Sequence, residues 1–200
     1  GVFFQSLAVW HKEILFALNQ GIPIFGASSI GALRAVETER YGMVGMGWVY
    51  EQFRDGSING DDEVALAHGD TETGYVNTSV PLVNMRATLT AAAKAGIIDT
   101  TTETRLLRLA KGVYFPDRTY PNLYYQAKQD GISPETIDTL QAFIAQNPVD
   151  AKADDARRLL RHLAQVQAGE AELPQLPEFD LIESANLKVM NTIDRAVNRP

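Results

Sequence analysis

The stretch from Ile22 to Glu37 limits the possible folds more than any other part of the chain. Ile22-Pro23-Ile24-Phe25 is a short apolar run with strand character, and Pro23 places it at a sheet edge or at the entry to a strand. Gly26-Ala27-Ser28-Ser29-Ile30-Gly31 follows as a turn of small residues, and Ala32 to Glu39 has helical spacing. A strand that passes through a small-residue turn straight into a helix is the elementary step of an α/β fold. Around it the pattern predicts a helix from about Ala8 to Asn19, stopped by Gly21. A second short helix is predicted over Gly47 to Arg54, a strand over Glu63 to His68, and a helix opened by Pro81 that ends at about Lys94 before Gly96. From Thr101 the apolar residues fall at helical spacing almost throughout: Leu106, Leu107, Leu109 and Ala110, then Ile137, Leu140, Phe143 and Ile144, then Leu159, Leu160 and Leu163. The expected architecture is α/β, with a small N-terminal sheet and flanking helices in residues 1–99. A mainly helical half, residues 100–200, is expected to pack on that core as one unit. Glu172 to Glu178 reads as a linker and Ile182 to Val197 as a final helix. The opening Gly1-Val2-Phe3-Phe4 leads us to expect a further element upstream.

Composition removes several classes of function. There is no cysteine among the 200 residues, so disulfides, thiolate metal sites and a cysteine nucleophile are all excluded. A cytoplasmic setting agrees with that, although it does not follow from it. The net charge of −7 makes a poor surface for nucleic acid, which needs clustered Lys and Arg to neutralise phosphate. No apolar run approaches the roughly 18 residues of a membrane-spanning helix, so no membrane partner is expected. Asp61-Asp62-Glu63 lacks a regular metal-ligand spacing and reads as an acidic turn, leaving no metal site and no cofactor in the expectation. Gly42 to Trp48 is an apolar, methionine-bearing loop that either packs under the domain or waits for a protein partner; packing is favoured. Arg54, Arg86 and Arg118 read as surface ion pairs.

The serine-bearing turn has three possible readings. Ala27-Ser28-Ser29-Ile30-Gly31 fits the relaxed pattern small-x-Ser-x-Gly with Ser29 at its centre, the layout of a nucleophile elbow. In such a turn the amides at the start of the following helix, here those of Ile30 and Gly31, point at the reacting centre and can hold an oxyanion. A serine at this place is also a favoured helix N-cap, and a helix start after a glycine turn can bind an anion. A nucleophilic serine needs a base. Lys12 has Ala8, Val9, Leu15 and Phe16 as its helical neighbours, all apolar, and burial there would lower its pKa and let a neutral amine take the serine proton. Against this, Lys12 can lay its stem on apolar surface with its charge in water, or pair with Glu37 or Glu39. His68, on the same face as Val64 and Leu66 by period-two counting, is a candidate second base or substrate-binding residue, and equally a structural histidine. Arg34 is a further substrate-binding candidate. His11 and His162 have no supporting constellation.

Several blocks taken together resemble the TfuA-like family. They are Gly1-Val2-Phe3-Phe4 with Val9-Trp10-His11-Lys12-Glu13-Ile14, Ile24-Phe25-Gly26-Ala27-Ser28-Ser29-Ile30-Gly31-Ala32-Leu33-Arg34-Ala35, Tyr41-Gly42-Met43 with Gly45, Asp61-Asp62-Glu63-Val64-Ala65 with His68-Gly69, and Leu82-Val83-Asn84-Met85-Arg86. The match is dense to about Gly96 and thins by about Tyr120. Members of that family carry sequence upstream of the Gly1 equivalent, and more usually have Met where this chain has Ile30. The resemblance implies an accessory hydrolase of peptide backbone thioamidation. Such a protein cleaves a thiocarboxylated ThiS-like sulfur carrier and releases sulfide for a YcaO-type enzyme that acts on a peptide or protein substrate. It also implies a Ser-Lys pair, carried here by Ser29, with Ser28 beside it, and by Lys12. Two rivals stay open: a non-catalytic adaptor that binds the YcaO enzyme and its peptide, and an anion- or nucleotide-binding domain using the same turn.

Overall fold

The computed structural model describes residues 8–181. The chain forms two compact units. Residues up to Arg54 join those from Ala156 onward in the first, and Asp55–Asp155 make the second. The division expected at residue 99 falls between two helices of the second unit that share one core.

The first unit is α/β. Helix α1 (His11–Asn19) starts where Glu13 Oε2 accepts from the Trp10 amide at 2.7 Å, and it buries Ile14 and Leu18. Gly21, with φ of +78°, ends the helix: a side chain there would strain the left-handed turn that returns the Ile22 amide to Ala17 O at 3.0 Å. Strand β1 (Phe25–Ala27) leads into α2 (Ile30–Thr38), which carries the chain back through a 3-10 turn (Glu39–Tyr41) to β2 (Val44–Met46). The two strands pair in parallel, with Phe25 opposite Val44, Gly26 opposite Gly45 and Ala27 opposite Met46. Helix α3 (Trp48–Arg54) follows β2. The Gly42–Trp48 segment therefore packs inside the domain: it supplies the second strand, and Met43 and Gly47 are buried. Gly45 is required there because a Cβ would lie 2.1 Å from the Tyr50 ring. Tyr50 in turn donates to Glu39 Oε2 at 2.6 Å, and burial followed by that carboxylate raises its phenol pKa.

The second unit is helical. Its helices are α4 (Leu82–Lys94), α5 (Thr100–Gly112), α6 (Tyr120–Gln129) and α7 (Pro134–Gln146), packed around Leu82, Met85, Leu89, Leu106, Leu123 and Leu140. Side chains of Asp99, Thr119 and Ser133 accept from backbone amides at three of the helix starts, as polar N-caps do. The strand expected over Glu63 to His68 does not form. Asp61–Glu63 is a 3-10 turn, Glu63, Val64 and Ala65 are buried in succession, and the extended character shrinks to one antiparallel bridge between His68 and Asn77. Two of the three arginines expected at the surface, Arg86 and Arg118, hold that turn in place, while Arg54 is exposed as expected. Arg86 grips the fully buried Glu63 with two hydrogen bonds of 2.8 Å, and Lys111 stands 3.5 Å from the same carboxylate. Arg118 is buried and donates to Ala110 O, Asp62 O, Asp62 Oδ2 and Val113 O. A buried guanidinium needs that many acceptors to replace its water.

Helix α8 (Ala151–Gln167) begins in the second unit and ends in the first. There His162 meets the Phe25 ring at 5.6 Å, and residues 172–181 run on without regular secondary structure. Among the described residues no helix is long and apolar enough to cross a membrane, and no group of three or more His, Asp or Glu is placed to hold a metal. The final helix expected over Ile182 to Val197 lies outside the described residues.

Candidate functional site

The turn between β1 and α2 is a strained bend. Ser28 has φ of +72°, and the Ser29 amide donates to Ala27 O at 2.8 Å, a three-residue γ-turn of the rarer hand with Ser28 at its centre. Only one other non-glycine residue among those described, Tyr75, has a positive φ. A serine held there costs on the order of 1–3 kcal/mol, which the surroundings must supply. They do so through a glycine contact. A Cβ on Gly26 would sit 2.1 Å from Gly31 O and 2.6 Å from Met43 Cε, so strand and helix approach at backbone distance across the bend.

The bend leaves its polar groups open. Ser29 is the N-cap residue of α2, yet its side chain makes no capping hydrogen bond; only its carbonyl is used, accepting from Ala32 N at 2.9 Å and Leu33 N at 3.3 Å. The N-cap reading of the turn therefore fails for Ser29. Among the described residues neither serine hydroxyl has a hydrogen-bond partner, and the amides of Ile30 and Gly31 have none either. Both serines are half-buried. Two hydroxyls thus stand beside two unpaired N–H groups at the positive end of a nine-residue helix. An arrangement of this kind can attack a carbonyl and hold the resulting oxyanion, or bind an anion directly.

The sequence pattern centres the elbow on Ser29; the γ-turn is centred one residue earlier, on Ser28. Gly26-Ala27-Ser28 is the Gly-x-Ser half of an elbow, and the second glycine comes three residues later, at Gly31, instead of two. That spacing was readable in the sequence.

Lys12 is exposed, so the desolvation expected from its apolar helical neighbours is absent. Among the described residues it forms no ion pair, with Glu37 or Glu39 or otherwise. Helix α1 meets α2 through a different set of groups. Arg34 Nε donates to Val9 O at 3.0 Å, Arg34 Nη1 to Glu37 Oε2 at 2.7 Å, and His11 Nε2 lies 2.6 Å from the same Glu37 oxygen. Arg34 is thereby engaged as a clamp on the start of α1, and His11 does have a supporting constellation, one that joins residues 26 positions apart. Glu37 lies two turns beyond Ile30, about 10 Å along the helix axis at ~1.5 Å per residue. His68 belongs to the second unit; it is exposed, its Nδ1 is 2.6 Å from Gly69 O, and its ring meets Tyr75 edge-on at 5.6 Å.

A family model described as TfuA-like protein matches residues 1–119, a span that takes in the serine bend, both strands and the Glu63–Arg86 pair. No curated protein matches the chain.

Proposed function

The chain belongs to the TfuA-like family, and on that premise we propose that it is an accessory hydrolase of peptide backbone thioamidation, releasing sulfide from a thiocarboxylated ThiS-like carrier for a YcaO-type enzyme. The observation that carries the proposal is the strained γ-turn at Ser28, whose hydroxyl and the following amides of Ile30 and Gly31 have no hydrogen-bond partner among the described residues. Ser28 Oγ attacks the thiocarboxylate carbon, and the carbonyl oxygen takes up negative charge facing those two amides. The base takes the Ser28 proton and returns it to sulfur as the C–S bond breaks, so that HS⁻ leaves with the electron pair and an acyl ester remains on Ser28. Water then cleaves the ester and returns the carrier's carboxylate. Sulfide is a good leaving group, so two backbone donors and one base suffice. Lys12, whose amine is exposed in the free protein, is the proposed base.

The test is sulfide release from a thiocarboxylated carrier by single variants. Ser28→Ala is expected to lower the rate about 10³-fold, in line with loss of an acyl-transfer nucleophile, and Ser29→Ala to lower it less than about tenfold. Lys12→Met should approach the Ser28→Ala rate without changing the folded spectrum. Normal release by Ser28→Ala would leave the turn as an anion site. Thioamidation that survives Ser28→Ala and Ser29→Ala together would point instead to the adaptor role.

A further inference from the structure

The segment after α8 lies on the first unit like a bound peptide. Leu176 and Pro177 sit over Gly42, where an added Cβ would be 2.7 Å from Pro177 Cδ and 3.2 Å from Leu176 Cδ2. The Phe179 ring packs on Tyr41 at 5.0 Å with the planes tilted by 59°, and Asn19 Nδ2 donates to Phe179 O at 3.0 Å. Gly42 has φ of +101°, so this position both turns the chain and clears the floor for a proline. An extended segment read by an aromatic ring, a glycine floor and one side-chain hydrogen bond to its backbone has the anatomy of proline-rich peptide recognition. The described part of the segment, up to residue 181, does not fill its seat. A cavity of about 570 Å³ remains between it and the end of α1, bounded by Leu18, Asn19 and Gly21 on one side and by Leu176 to Asp180 on the other. Asn19 and Gly21 precede β1, and Tyr41 and Gly42 precede β2, so the groove is at the N-terminal edge of the two strands. Ser28 lies at their C-terminal edge, and occupancy of the groove leaves it open.

We propose that this groove is a docking site for an extended partner segment of the same chemistry, an aliphatic residue followed by proline with an aromatic residue two positions further on, and that residues 174–181 are its cis occupant and compete with the partner. The inference does not rest on the hydrolase reading. The probe is a fluorescent synthetic peptide with the sequence of residues 173–181, titrated into the full chain. Three forms are compared: the unaltered chain, Leu176→Ser/Phe179→Ala, which weakens the cis occupant, and the same double variant with Tyr41→Ala, which removes the ring that faces Phe179. Binding to the double variant is expected to be at least tenfold tighter than to the unaltered chain and to fall back on addition of Tyr41→Ala. A double variant with an unchanged circular-dichroism spectrum that binds no better than the parent would overturn the proposal. So would peptide binding indifferent to Tyr41→Ala, or a dimer in sedimentation that accounts for the occupancy by exchange of the segment between copies. If the double variant does not fold, Leu176→Ser alone, which alters only the cis occupant, supplies the same comparison with a smaller expected gain.

Discussion

Lys152 offers a direct measurement of what burial does to a charge in this protein. Its ammonium reaches inward from the start of α8 to donate to Val64 O at 2.7 Å, and Val64 is itself buried. Burial lowers its pKa from 10.5 to about 8, with the Asp150 carboxylate opposing the shift. At about 1.36 kcal/mol per pH unit, that gap is at most about 3 kcal/mol of differential stability. The sign follows from the proton count. Between pH 8 and 10.5 the unfolded chain keeps the lysine proton and the folded chain has lost it, so stability rises with pH across that window. Below pH 8 both states hold the proton and the full cost of the buried charge persists. Lys152→Met removes the titration together with the hydrogen bond to Val64, whose loss costs about 1 kcal/mol at any pH. Urea unfolding of both proteins, followed by circular dichroism at pH 7, 8, 9 and 10, isolates the effect because all other titrations cancel in the difference. Relative to the variant, the unaltered protein should gain about 2–3 kcal/mol between pH 7 and 10. A difference that stays flat over that range would refute the reasoning.

Three further outcomes follow from contacts described above. Ser28→Gly relieves the positive φ and should raise unfolding stability by about 1 kcal/mol in urea melts and, on the proposed mechanism, abolish sulfide release. Gly26→Ala places a Cβ 2.1 Å from the Gly31 carbonyl, where neither backbone can yield, and should destabilise the protein by more than about 3 kcal/mol or prevent soluble expression. Glu63→Gln leaves Arg86 and Lys111 facing a neutral buried group and should cost about 3–5 kcal/mol in the same melts, whereas Arg108→Ala, at the surface, should cost less than about 1.

The parts of this fold that could be read from the chain are those set by local pattern. The bend from Phe25 to Ile30, the helix stops at Gly21 and Gly96, and the helix opened at Pro81 all depend on neighbours within a few residues, and all appear as expected. Strand β2 was not readable. It is only three residues long with Gly45 at its centre, and its strand character comes from pairing with β1 and from the Tyr50 ring above it. The Glu63 to His68 segment misled in the opposite direction. Its alternation is real, but among the described residues no neighbouring strand pairs with it, and the side chains that fix Asp62 and Glu63 lie 56 and 23 positions away, respectively. Buried Arg118 belongs to the same class, since nothing local distinguishes it from an exposed arginine.

Lys12 shows the same limit at the candidate site. Apolar neighbours on a helix are not burial, because burial requires another element laid over that face. Here Ile14 and Leu18 carry the covered side of α1, while Val9 and Trp10 stay about half exposed. The serine bend needs no such partner. Its positive φ and its Gly26–Gly31 contact arise within the segment from Phe25 to Gly31, which is why the bend could be anticipated there and the exposure of Lys12 could not. On the proposed function, the nucleophile and the oxyanion site are preformed in the free protein, and the carrier completes the proton acceptor by desolvating it. Its rate should therefore respond to carrier truncation more steeply than an enzyme with a buried Ser-Lys pair, because the carrier supplies the desolvation that the fold does not.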